Sequence, residues 1–92
     1  MSYYKRKCSS LMKDEIVLFN ADVYHDNHVT MYDGNVVSVD EENSIVTIVY
    51  LEGYKSRVDN IPFRDMVAVY ASDGPYKKYG PFSGPSIDLI PE

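Results

Sequence analysis

From Ser44 to Leu51 the chain reads Ser-Ile-Val-Thr-Ile-Val-Tyr-Leu, and this run limits the fold more than any other feature. Its β-branched and aromatic residues favour extended backbone. Side chains in a strand alternate, so Ile45, Thr47, Val49 and Leu51 share one face while Val46, Ile48 and Tyr50 share the other. Both faces are apolar, whereas a half-buried antiparallel strand shows apolar residues on one side only. The second face therefore calls for a cover: a sharply bent barrel, the C-terminal tail or another subunit.

The rest of the chain supplies partners for this strand and no helix to pack on it. Ile16–Phe19 is a short β-rich run, and Asn20–Val29 is a polar loop. Thr30–Tyr32 resumes an extended pattern, Asp33-Gly34 permits a bulge or turn, and Val36, Val37 and Val39 continue it. Asp40-Glu41-Glu42-Asn43 reads as a hairpin turn in which Asn43 suits the left-handed conformation. Gly53 breaks the central strand. Tyr54–Ile61 follows as a strand with Lys55, Arg57 and Asp59 turned outward, and Pro62 ends it. Phe63-Arg64-Asp65-Met66 is the length of a 3₁₀ turn before a strand over Val67–Ala71. Five short strands with a one-turn helix before the last predict an all-β fold, a small five-stranded SH3-like barrel over residues 14–72. Residues 1–13 lack apolar periodicity and are expected to be a mobile basic arm. Residues 73–92 hold four of the five prolines and three of the five glycines, which argues against regular structure there. Their aromatic and aliphatic content predicts an extension ordered by packing on the barrel or on a second subunit.

Charge is distributed in blocks. The 92 residues carry 9 Lys+Arg and 14 Asp+Glu, a formal charge of -5. Residues 1–13 contain four bases and no acid, residues 14–54 contain nine acids and no Lys or Arg, and residues 55–92 contain five of each. Dense carboxylates repel nucleic-acid phosphates and attract basic surfaces. Asp22, Asp26, Asp33, Asp40, Glu41, Glu42 and Glu52 are therefore the candidate face for a basic protein partner.

The segment Gly34-Asn35-Val36-Val37-Ser38-Val39, the acidic turn, Val46-Thr47-Ile48-Val49-Tyr50, Gly53-Tyr54, Asp59 and Pro62 to Met66 resembles the barrel of Tudor and chromo-barrel domains over about residues 34–70. In that pattern Tyr54 stands where the aromatic of a Gly-Trp pair does, and Asp59 where an acid precedes a cage tryptophan. The chain has no tryptophan; the sequence there runs Asp59-Asn60-Ile61-Pro62. The resemblance implies a reader of methylated or otherwise cationic peptides. Phe19, Tyr24, Tyr32, Tyr50 and Tyr54, with Asp59 or Glu52, are the residues from which an aromatic cage would hold such a cation.

Catalytic signatures are lacking: no Gly-rich phosphate loop, no Gly-x-Ser-x-Gly elbow and no His-Glu-x-x-His occurs. Cys8 lies beside Arg6 and Lys7, which favours thiolate, but an arm offers it no positioned base. His25-x-x-His28 with Asp22 and Asp26 has four metal-ligating side chains, yet no cysteine or rigid element, and reads as a polar loop. No catalytic residue, cofactor or metal is therefore expected. One cysteine precludes an internal disulfide, and no apolar run approaches the roughly 20 residues of a membrane span. The expectation is a cytoplasmic, non-enzymatic binding module: a small acidic inhibitor or adaptor, of the kind phages and mobile elements encode, that engages a basic protein and in the extreme mimics DNA. The alternatives are the Tudor-like reader and a nucleic-acid-associated barrel using the basic arm. A homodimer through the 44–51 strand or the C-terminal extension is compatible with each.

Overall fold

A computed structural model describes residues 5–21, 31–70 and 86–92. These residues form seven strands and two single 3₁₀ turns, with no α-helix among them: β1 (Lys5–Lys7), β2 (Ile16–Asn20), β3 (Met31–Asp40), β4 (Ile45–Glu52), β5 (Lys55–Pro62), β6 (Met66–Tyr70) and β7 (Ser86–Ile90). The 3₁₀ turns span Cys8–Ser10 and Phe63–Asp65. The all-β class is as the sequence indicates. The architecture differs from a closed five-stranded barrel: all seven strands belong to one open sheet of order β1-β7-β6-β2-β3-β4-β5.

The two added strands come from segments expected to be irregular. Residues 5–13 are not a detached arm, because β1 pairs in parallel with β7, Lys5 opposite Asp88 and Lys7 opposite Ile90. Arg6 fastens this strand to the start of β2. Its Nη1 and Nη2 donate to the Glu15 carboxylate at 2.6 and 2.8 Å, and Nη2 also donates to the Ser10 carbonyl at 2.8 Å. Cys8 and Leu11 are buried in the common core. Residues 86–90 likewise form regular structure, an antiparallel partner of β6 with Val69 opposite Ile87. The two segments lack an alternating pattern of their own; each is held by its neighbour and by one buried anchor, Cys8 or Leu89. Residues 71–85, with three of the four prolines and all three glycines of the extension, lie outside the described residues.

One apolar core fills the inside of the curled sheet, drawing residues from every strand except β1, whose contribution comes through Cys8 and Leu11 just after it. β1 and β5 are opposite edges of the sheet, yet the Cys8 Sγ lies 3.7 Å from the Phe63 carbonyl oxygen, so the two ends of the curl approach each other without pairing. Gly34 is required where β3 passes closest to β4. It lies between Val17 and Tyr50 on the inner face. A Cβ there would stand 2.5 Å from Ile48 Cγ2 and 2.8 Å from the Val49 carbonyl oxygen, so β3 and β4 approach closely only because that atom is missing. The expected bulge at Asp33-Gly34 falls instead at Val37, where the β3–β4 register shifts between Val36 and Ser38.

The β3–β4 turn also differs in detail. Ser44, not Asn43, takes the left-handed conformation, with φ of 57°. Asp40 is the cause: its carboxylate accepts from the Asn43 amide N–H at 3.1 Å and from Asn43 Nδ2 at 2.7 Å, an Asx-type clasp that fixes Asn43 and passes the reversal to Ser44. The β4–β5 loop is Gly53-Tyr54 alone, with Gly53 at a φ of 62°, as a Gly-first two-residue hairpin requires.

Candidate functional site

The acidic residues do not form one face. Asp40, Glu41 and Glu42 are exposed at the β3–β4 turn. Glu52 ends β4 at the opposite end of that strand, about 23 Å away at 3.3 Å per residue. Asp33 lies near the Glu52 end, but in register with Leu18 on the outer face, whereas Glu52 shares the inner side with Tyr50. Asp22 and Asp26 lie outside the described residues, as do His25 and His28. Among the described residues, the acidic feature that remains is the turn. Asp40 is held below the usual carboxylate range by its hydrogen bonds from Asn43. No ion pair among the described residues involves Asp40, Glu41 or Glu42; those present join Arg6 to Glu15 and Arg57 to Glu52 and Asp59.

Three residues of the proposed aromatic set do converge, but as core. Phe19 meets Tyr50 edge-on with centroids 5.0 Å apart, Tyr32 lies 5.3 Å from Tyr50, and Phe19 and Tyr32 stack at 6.4 Å. All three are buried and their ring faces are used by one another, which leaves no open box for a cation. Tyr54 is apart from them at the hairpin tip, 105% exposed. Tyr24 lies outside the described residues. Asp59 accepts the Tyr50 hydroxyl proton in a hydrogen bond, and burial together with that bond pushes the phenol well above its ordinary pKa. Tyrosines in a small all-β fold without tryptophan pack a core more often than they form a cage, and burial places Phe19, Tyr32 and Tyr50 in the core.

The charges of β5 have the reverse of the expected orientation. Arg57 is opposite Tyr50 and Asp59 opposite Ile48, and directly opposed residues share a face, so both point to the inner side along the rim of the core. There Arg57 Nη1 contacts Glu52 Oε1 at 3.3 Å and Arg57 Nε contacts Asp59 Oδ2 at 3.4 Å. Val58 is turned outward and is 61% exposed. The alternation was legible, but an edge strand with polar residues at both parities does not reveal which parity faces in.

The second face of β4 is not covered by described residues. β7 extends the sheet beyond β6, on the far side from β4. Leu51 is 64% exposed, and with Val58, Met31 and Val37 it makes an apolar outer surface over β3, β4 and β5. An open groove of about 350 Å³ at the Met31–Leu51 end is lined by both β3 and β4. Asp33 lies at its margin. Burial raises its pKa, against the effect of a hydrogen bond from Tyr70, and its Oδ1 has no hydrogen-bond partner. This surface was foreshadowed by the two-faced 44–51 run, whereas the role of Val58 in it was missed.

Cys8 is fully buried and its thiol is pushed up to about 11 by burial, the opposite of the activation that neighbouring bases suggest, because the polypeptide folds the sulfur away from them. Among the described residues no three His, Cys, Asp or Glu side chains are grouped to hold a metal, and no helix is long and apolar enough to cross a membrane. Compared with protein-family models, curated proteins and solved structures, the chain matches none of them.

Proposed function

We propose that this chain is a non-enzymatic protein-binding module, an adaptor or inhibitor whose partner presents a basic surface with apolar residues beside it. The observation that carries this reading is the exposed Asp40-Glu41-Glu42 turn, whose carboxylates lack a cationic partner among the described residues, with the exposed Val37 three residues before it in β3. Exposed carboxylates attract a basic partner over a Debye length of about 8 Å at physiological salt, and adjacent apolar area supplies the short-range contact. A Tudor- or SH3-like relationship of the strand order, without closure, is the fold reading that accompanies it. The run β6-β2-β3-β4-β5, with a 3₁₀ turn between β5 and β6, supports that reading, with β1 and β7 as additions at one edge.

The test is capture of partners from native host lysate on immobilised protein, at low and high salt, beside a Glu41→Lys, Glu42→Lys double variant. The expected result is a retained basic protein that is lost at high salt and lost on the variant. A partner set that ignores both the salt and the charge reversal would overturn the reading.

A further inference from the structure

The β5 edge carries a pattern that is its own complement. Among the described residues β5 is hydrogen-bonded to β4 alone, so its other side is an open edge eight residues long. The phase of the β4–β5 ladder is set by the bond from the Phe63 N–H to the Ser44 carbonyl at 2.9 Å. Bonded and non-bonded pairs alternate along an antiparallel ladder. The pairs Ile61–Val46, Asp59–Ile48, Arg57–Tyr50 and Lys55–Glu52 are then the bonded ones, and the N–H and C=O groups of Ser56, Val58 and Asn60 point away from β4.

We infer that β5 pairs antiparallel with β5 of a second copy about a two-fold axis at Val58. Outward-pointing residues must face one another, so the axis passes one of the five residues from Ser56 to Asn60. Centred on Arg57 or on Asp59, it sets that charge against its own copy. Centred on Ser56, it sets Lys55 against Arg57, like charge against like. Centred on Asn60, it sets Val58 against Pro62, which has no N–H to give. Centred on Val58, it sets Arg57 against Asp59 twice, on the inner face, and Ser56 against Asn60 twice. Arg57 and Asp59 then form non-hydrogen-bonded cross-strand pairs, the kind in which side chains approach most closely. On the outer face the row Val49–Val58 continues into Val58–Val49 of the other copy, which covers the exposed Val58 side chain. An isologous contact of this kind closes on itself and leaves no edge for further growth on that side.

Sedimentation equilibrium of the full chain tests the pairing. The expected mass rises from 10.5 kDa toward twice that value with concentration. Arg57→Glu alone and Asp59→Lys alone each place like charges across the axis, and each is expected to weaken dimerisation about tenfold, close to 1.4 kcal/mol. An equimolar mixture of the two restores opposite charges in a heterodimer and recovers the affinity. Thermal melts establish that each variant is folded. Independently of these, Val58→Cys is expected to cross-link under mild oxidation, since facing residues of a bonded pair have Cα atoms about 5.5 Å apart. Met12→Cys, exposed and outside β5, is the control. A wild-type chain that stays monomeric to about 1 mM, folded variants that dimerise as well as wild type, or Val58→Cys that cross-links no faster than Met12→Cys each overturn the proposal.

Discussion

The two edges of the sheet solve the same problem differently. β1 is three residues long and is tied down at once by the parallel ladder to β7 and by the Arg6–Glu15 pair. β5 is eight residues long, joined among the described residues to one neighbour, and carries Arg57 and Asp59 on the inner side, where Arg57 is held between Glu52 and Asp59. A short edge offers too few free groups to template another strand; a long one must be guarded by inward charge or given a defined partner. The contrast teaches that Arg57 and Asp59 serve the monomer as rim groups and are also the residues that choose a register for a second copy.

The largest effect is expected from Gly34→Ala, which disturbs the close approach of β3 and β4 in the middle of the sheet. The new methyl meets the Val49 carbonyl and the Tyr50 Cβ at 2.8 and 2.9 Å, and backbone cannot yield as a side-chain tip does. A loss of about 3 kcal/mol follows, read by denaturant unfolding; an unchanged midpoint would mean that β3 and β4 are not so close. Tyr50→Phe acts at the β5 edge alone. It removes the hydroxyl donated to Asp59 and leaves the aromatic cluster filled, for a loss of about 1.5 kcal/mol. If its stability equalled that of the wild type, Arg57 would be the only partner Asp59 needs.

The smallest effect is expected at the β1 edge. Arg6→Met should cost about 1 kcal/mol at neutral pH, since the pair is partly exposed to solvent screening. The Arg6 hydrogen bonds, with that from the Met12 amide, hold the Glu15 carboxyl below its ordinary range against the opposing effect of burial. A lowered folded pKa gives stability that is present above the unfolded value, about 4.3, and is lost as pH falls through the folded value. The difference in melting temperature between Arg6→Met and wild type is therefore flat above about pH 5 and narrows on acidification. A difference that stays constant down to acid pH would show that Arg6 acts by packing.

Much of the middle of the chain was legible because its signals are local. β-branched alternation marks β4, Gly53 marks its turn, and Phe63-Arg64-Asp65-Met66 marks the 3₁₀ turn within a residue of where it lies. The ends were not legible, since Lys5–Lys7 and Ser86–Ile90 become strands by pairing with each other and not through any pattern either one carries. The acidic block was misjudged for a related reason. Residues adjacent in a hairpin alternate faces and run to opposite ends of a strand, so Asp33, Glu42 and Glu52 part company in space. Tyr54 and Tyr50 were grouped by residue type, yet one is at a loop tip and the other in the core.

The parallel β1–β7 pairing bears on the order of assembly. Lys5 meets Asp88 across some eighty residues, and Ser9 donates to the Glu92 carbonyl at 2.9 Å nearby. Closing a loop of that length in a loose chain costs about 4 kcal/mol of entropy, several times the return from three paired residues. The β3–β4–β5 meander, whose loops are two to four residues, has no such delay. The clasp forms after the rest has shortened the effective loop, and it opens first on warming. Amide exchange should then find Arg6 and Leu89 among the earliest strand positions to lose protection while Ile48 still holds its proton.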